Sequence, residues 1–262
     1  MQIMDSQTEL ERLRSIPLIF NPPETAFVAM YNVRTYECDS DGFAQFPSIC
    51  NYLQETAATH ADSLGLSIGG KNMPDNLSWV LTRMRIELDR YPKWRDEVKV
   101  FTFPRSMRKL FAYRDFEISL ADGTPIGRAS SEWMVINSTT RRAERMPESI
   151  ASIANTVRTP ALGEMPFSKF EFPETDAEME AAKFSAQRSH IDVNGHVNNV
   201  HYIEWMLEAA PEKMKRPLSF EVVFRSEVTA SETVAIGRAI TDDFAYFRVT
   251  CGGKESVVSR AR

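Results

Sequence analysis

Three cysteines, Cys38, Cys50 and Cys251, are too few and too irregularly placed to frame a disulfide-bonded domain. Such a set is expected in a reducing compartment, here the cytoplasm. No run of 18 apolar residues occurs, and Met1 to Arg14 is too polar for a secretory signal, so a soluble protein without a membrane partner is expected. There is no Cys-x-x-Cys, and His196 and His201 stand five apart, which misses the i, i+4 spacing of a helical zinc pair. Neither a Gly-x-Gly-x-x-Gly nor a phosphate loop is present, so no metal and no nucleotide cofactor is expected. A net charge of −5 argues against nucleic acid as a partner.

What the chain does have is β-type sequence. Long stretches, among them 77–91, 96–103, 109–121, 125–137, 218–228 and 244–251, alternate in a way that suits strands. The run from Asn198 to Ala210 is instead apolar nearly all round, with His201, Glu204 and Glu208 as one narrow polar stripe at helical spacing. Such a helix must be buried on most of its circumference, and a curved antiparallel sheet wrapped around it is the simplest arrangement, an α+β fold.

Immediately ahead of that helix, Asp192, Asn194 and His196 put a carboxylate, an amide and an imidazole at i, i+2 and i+4. In extended chain these share one face, and the helix start beyond them offers unpaired N–H groups to developing negative charge. This is equipment for attack on a carbonyl.

The pattern occurs twice. Asp39-Ser40-Asp41-Gly42-Phe43-Ala44 reads against Asp192-Val193-Asn194-Gly195-His196-Val197 at an offset of 153 residues (39 against 192), which also sets Tyr52 against Trp205, Leu53 against Met206 and Glu55 against Glu208. Later, Phe111-Ala112-Tyr113 matches Phe244-Ala245-Tyr246, each opening a stretch that runs to a Gly turn. The order is the same in both halves, so one supersecondary unit is duplicated. The first copy has Phe43 in place of His196, as expected if one half shapes a cavity and the other reacts. The boundary falls in the Pro-containing stretch 143–180, giving an N-terminal unit of 1–146, a linker of 147–180 with a short helical piece at its start, and a C-terminal unit of 181–262.

Rival motifs fail on context. Gly65-Leu66-Ser67-Ile68-Gly69 has the form of a nucleophile elbow but follows a helix-like stretch, 47–64, where a strand is needed; Gly65 suits a helix C-cap. Asp39-Ser40-Asp41-Gly42 has its glycine too early for a calcium loop, and Cys50 stands where that loop needs glutamate.

The string Asp-x-Asn-x-His-Val-Asn-Asn-x-x-Tyr-x-x-Trp, Asp192 to Trp205, followed by Glu208-Ala209-Ala210-Pro211, resembles the acyl-acyl-carrier-protein thioesterases, the plant FatA/FatB type and its bacterial relatives. Trp133 to Asn137 with Thr140-Arg141-Arg142 resembles the end of that family's first domain, and Arg225-Ser226-Glu227 resembles the strand that supplies its catalytic glutamate. The resemblance implies two tandem hotdog domains, each a curved sheet around a central helix, that hydrolyse a fatty acyl thioester and release free fatty acid. Where many plant members carry a cysteine after the glutamate, this chain has Val228. Water is then the attacking group. The plastid transit peptide of a plant enzyme is absent, which fits a bacterial or processed chain.

Thioester hydrolysis needs a general base, worth roughly 10²–10⁴-fold. Glu227 is the candidate, oriented by His196 and Asp192, although Glu227 and His196 can exchange that role. Asn194 and the N–H groups near Val197 to Asn199 are candidate donors to the oxyanion, each worth about 10²–10³ in rate. Asn198, Asn199, Tyr202, Trp205, Tyr52 and Trp79 are candidate substrate contacts, with the cavity floor expected around Tyr52 and 76–84. The implied partner is an acyl carrier protein with a phosphopantetheine-linked chain. Carriers are acidic, so a local basic patch is needed: Lys213, Lys215 and Arg216 beyond the helix, or Arg141, Arg142 and Arg145 after the first domain. Duplication supplies the pairing that single hotdogs obtain by dimerising, so monomer and homodimer both remain open. So do the same hydrolysis on coenzyme A thioesters, hydration or dehydration of an acyl thioester, and a non-catalytic binding module.

Overall fold

In this computed structural model, residues 25–152, 160–162, 170–173 and 179–262 are described. Met1 to Arg14 and much of the expected linker lie outside them. The described strands are β1 (Phe27–Asn32), β2 (Leu77–Leu88), β3 (Glu97–Arg108), β4 (Phe111–Leu120), β5 (Pro125–Asn137), β6 (Met179–Ser185), β7 (Ser219–Phe224), β8 (Thr233–Ile240), β9 (Ala245–Cys251) and β10 (Lys254–Ala261). The helices are α1 (Phe46–Ser63), the one-turn α2 (Glu148–Ala151) and α3 (Asn199–Glu208).

All ten strands form one antiparallel sheet in the order β1-β3-β4-β5-β2-β7-β10-β9-β8-β6. From either edge inward the order is that of the first, third, fourth, fifth and second strand of a half, so the sheet is the same five-stranded unit twice, joined back to back. The duplication read from the sequence is therefore a duplication of topology. Phe111-Ala112-Tyr113 and Phe244-Ala245-Tyr246 do open equivalent strands, β4 and β9. At the join β2 pairs with β7, Met84 opposite Val222 and Ile86 opposite Phe220. The two halves share one core that contains Leu53 and Phe46 of α1, Ile203 and Met206 of α3, and Phe220, Val222 and Val257 of the sheet. Phe46 lies 5.1 Å from Phe220, ring to ring, and each such buried side chain contributes about 1.5–3 kcal/mol.

Each long helix is bounded by residues suited to its ends. Pro47 sits in the first turn of α1, where its missing N–H costs nothing. Gly65 ends the helix at φ +68°, with Gly65 N–H donating to the Asp62 carbonyl and Leu66 N–H to the Ala61 carbonyl, both 2.8 Å, the Schellman pattern. Asn198 caps α3, its Oδ1 accepting the Val200 N–H at 2.9 Å. Val200, Tyr202, Ile203, Trp205, Met206 and Leu207 of α3 are buried, and the His201, Glu204 and Glu208 stripe is not.

The sequence-based stretch 218–228 overshoots β7, which stops at Phe224. The Arg225 and Ser226 N–H groups both donate to the Ser256 carbonyl, at 2.8 and 3.2 Å. Two successive donors on one acceptor break the alternation of a strand ladder, so Glu227 is carried by a loop instead of a strand. Pro147 to Ala151, assigned to the linker by sequence, packs on the first half, with Ile150 buried against Leu66, Met73, Leu77 and Val135. Further along, the Ala161 N–H donates to Asp115 of β4 at 2.9 Å, and Phe170 and Phe172 lie under Arg260 and Arg248 of β10 and β9.

Candidate active site

The loop from Ile191 to Val197 is closed by a β-bridge between those two residues, and Gly195 turns it at φ +80°, a conformation glycine adopts without strain. Asp192 Oδ1 accepts the Asn194 N–H at 2.8 Å, and the Asp192 N–H donates to the His196 carbonyl at 2.9 Å. The Val197 N–H donates to the Val228 carbonyl at 2.8 Å, which brings the loop after β7 alongside. The result places His196 Nε2 3.2 Å from Glu227 Oε2, both side chains about a third exposed (29% and 39%). Arg141, from the turn after β5, forms an ion pair with the other oxygen of Glu227. Tyr202 of α3 accepts the Val228 N–H on its hydroxyl at 3.0 Å, tying the helix to the Glu227 loop.

His196 and Glu227 thus meet, while Asp192 and Asn194 pair with each other, Asn194 Nδ2 donating to Asp192 Oδ2 at 3.3 Å. The segment expected to be extended, with the three side chains on one face, is a turn instead, and the Asp192–Asn194 bonds lie within it. Among the N–H groups at the start of α3, Val197 donates to Val228 and Asn198 to the His190 carbonyl. Asn199 N–H has no partner among the described residues, and the positive end of the α3 dipole adds to it. Of the Val197 to Asn199 donors expected there, it is the one left open among the described residues.

A narrow apolar crevice, with a cavity volume of ≈ 20 Å³, lies between the helices and the sheet. It reaches the segments that carry both polar groups, since Asn199 and Val200 follow His196 and Phe224 precedes Glu227. Most of its remaining wall belongs to the first half: Leu53 and Ala57 of α1, Leu81 and Met84 of β2, Phe116 of β4, Trp133 of β5. Of the sequence candidates for substrate contact, Asn199 lines it. Tyr52 instead donates its hydroxyl to Glu37 at 2.6 Å and stacks on Tyr31, and Trp79 donates to the Leu66 carbonyl at 3.0 Å. Trp205 is buried edge-on to Phe184, His190 and Tyr202, and Asn198 is occupied as the cap. Leu81 and Met84 fall within the expected 76–84 stretch; Trp133 and Phe116 had no local signal, because strand order decides what faces a helix.

The first half repeats this geometry without its chemistry. The Cys38–Ala44 bridge corresponds to Ile191–Val197, and Gly42 turns at φ +80° like Gly195. The Ala44 N–H donates to the Pro92 carbonyl as Val197 does to Val228, so Tyr91 occupies the place of Glu227 and Phe43 that of His196. Arg216, a sequence candidate for carrier binding, fills this site: its guanidinium pairs with Asp39 and Asp41 and lies 4.8 Å from the Phe43 ring centre. The burial of Asp39 is outweighed by its bonds to Arg216 and to backbone N–H groups, so its pKa is lowered. Lys215 pairs with Glu212 at 3.1 Å, Lys213 lies in the single turn Glu212–Met214, and Arg142 and Arg145 are exposed beside Arg141.

Burial raises the thiol pKa of Cys50, and of Cys38 and Cys251 less deeply, which disfavours thiolate. None of the three touches the His196–Glu227 pair. Among the described residues no three His, Cys, Asp or Glu side chains cluster as a metal site would require.

Two five-stranded units, each wrapped around a helix, with an apolar crevice between the helices and the sheet, define a double hotdog protein. Residues 24–154 match the acyl-ACP thioesterase N-terminal domain and residues 173–250 the C-terminal domain of the same proteins; the chain belongs to the acyl-ACP thioesterase family. It is 36% identical over 194 residues to a chloroplastic palmitoyl-acyl carrier protein thioesterase of Gossypium hirsutum, covering 71% of this chain and 47% of that one. It is 34% identical over 195 residues to the chloroplastic oleoyl-acyl carrier protein thioesterase of Coriandrum sativum, covering 70% and 53%. The chain spans about half the length of these curated relatives. Among solved structures, an acyl-ACP thioesterase from Bacteroides thetaiotaomicron superposes with a TM-score of 0.80 at 27% identity, over 90% of this chain and 97% of that one. The 12:0-ACP thioesterase of Umbellularia californica shares the fold, with a TM-score of 0.81 at 24% identity over 93% and 98%.

Proposed function

We propose that this protein hydrolyses fatty acyl thioesters borne on an acyl carrier protein, with the second half supplying the reacting groups and the first half most of the acyl site. The observation that carries this reading is the contact of His196 Nε2 with Glu227 Oε2 at the segments reached by an apolar crevice. In the reaction, water held by Glu227 and His196 gives up a proton to that pair as its oxygen bonds to the thioester carbon. Charge gathering on the carbonyl oxygen faces the Asn199 N–H at the start of α3. Collapse breaks the carbon–sulfur bond, and the proton returns from His196 to the departing thiolate. Arg141 pairs with Glu227 at the surface, where an acidic carrier meets a positive edge formed with Arg142 and Arg145. The free thiols of Cys38, Cys50 and Cys251 fit a reducing cytoplasm.

Incubation with carrier-bound acyl chains of graded length, with free acid measured, tests the reading. Release of acid that depends on Glu227 is expected; no release at any length overturns it. Coenzyme A thioesters of the same chains, run in parallel, establish which carrier is used.

A further inference from the structure

Beneath α1 lies a polar pair that the proposed reaction does not use. Arg114 of β4 projects Nη1 to His60 Nδ1 at 2.9 Å and to Thr102 Oγ1 at 3.1 Å. An arginine N–H can only donate, so Nδ1 accepts and the ring proton sits on Nε2. That Nε2 is buried and has no partner among the described residues; the whole His60 side chain is 1% exposed. No carboxylate among the described residues balances Arg114. Its neighbour Asp115 is turned to the opposite face, bonded to Arg105, Ser130 and the Ala161 N–H. Arg114 keeps part of its surface uncovered, yet enough protein surrounds it to pull the guanidinium down to about 10.

The pair lies next to the crevice without lining it. Ser131, opposite Arg114 in the β4–β5 register, and Phe116, two residues along the same strand face, both line it. His60 follows Ala57, the last α1 residue in the crevice wall, by one helical turn. A part-buried cation without a carboxylate, beside an orphaned buried N–H, is costly unless something accepts from it.

We propose that Arg114 and His60 form a specificity site for an acyl chain that carries a hydrogen-bond-accepting oxygen, carboxylate, oxo or hydroxyl, on its distal part. The inference rests on the thioesterase reading. Carrier thioesters of equal length, plain, with a terminal carboxylate, or with a distal oxo or hydroxyl group, are compared by kcat/KM. At least about a tenfold preference for one oxygenated class over the plain chain is expected, the range of a hydrogen bond to a charged group. Arg114→Met and His60→Phe, the latter keeping the ring stacked on Phe27, should each bring that ratio towards one. The carboxylate and the neutral arms identify which oxygen is read. Preference for plain chains, or a ratio unmoved in both variants, overturns the inference. If no thioester is cleaved, the functional reading fails separately, and the inference is then decided by binding: dicarboxylic or hydroxy fatty acids should raise the melting temperature more than plain acids, and an equal rise overturns it.

Discussion

The Tyr202 hydroxyl accepts the backbone N–H of Val228 at 3.0 Å, so the helix that begins just after His196 also fixes the loop that holds Glu227. The His196–Glu227 pair is therefore positioned by one element. Burial raises the phenol's pKa, so it stays protonated, with an oxygen lone pair for the N–H.

Tyr202→Phe removes that acceptor and leaves the Val228 N–H unsatisfied. Stability should fall by about 1–3 kcal/mol, and kcat should fall more than KM rises as Glu227 loses its position. Denaturant unfolding and steady-state kinetics on one preparation check this; unchanged kcat would show that the loop is held by other contacts.

Glu227→Gln and His196→Ala should each lower kcat by roughly 10²–10⁴-fold. Because the two act as a unit, the double variant should be little worse than either single one. Circular dichroism should be unaltered, as both side chains are part-exposed. Near-normal turnover by Glu227→Gln would remove it as the base.

Carrier recognition should divide between the arginines. Arg216 is neutralised by Asp39 and Asp41, whereas Arg142 is exposed. Arg142→Ala should raise KM for a carrier-bound substrate about two- to fivefold, the range of an exposed charge pair, and lessen its dependence on salt. Arg216→Ala should change KM little, and short thiol esters should respond to neither. A larger effect at Arg216 would mean that the carrier displaces its acidic partners.

Ala57→Leu places extra methyl groups in the crevice wall. Chain preference should move to shorter acyl groups, each excluded methylene counting for about 1–3 kcal/mol. Product profiling by chain length tests this, and an unchanged profile would put the acyl chain elsewhere.

His60 makes stability depend on pH. Burial, then the nearby Arg114 charge, lowers its pKa from 6.5 to about 4. Between those values the unfolded chain binds a proton that the folded protein refuses, so stability is complete above about 6.5 and declines as pH falls towards 4. The loss should be about 1–2 kcal/mol, allowing for solvent that reaches the Arg114 side of the pair. Urea unfolding of His60→Phe should show a flatter pH dependence over that window; an identical profile would place the titration elsewhere.

The sequence by itself determined the duplication, both long helices and the Gly65 end of the first. Each is written in residues a few positions apart, as periodicity, capping chemistry and a glycine at positive φ. Only the tertiary structure decided that Arg141 reaches Glu227 across 86 residues and that Arg216 fills the vestigial site at Asp39 across 177. It also put Tyr91 in the place of the glutamate, bent Glu227 off its strand, and chose Phe116 and Trp133 over Tyr52 and Trp79 for the crevice wall. Those outcomes depend on strand order and on the seam between β2 and β7, and contacts between segments so far apart are set by how the shared core packs, which no local pattern encodes.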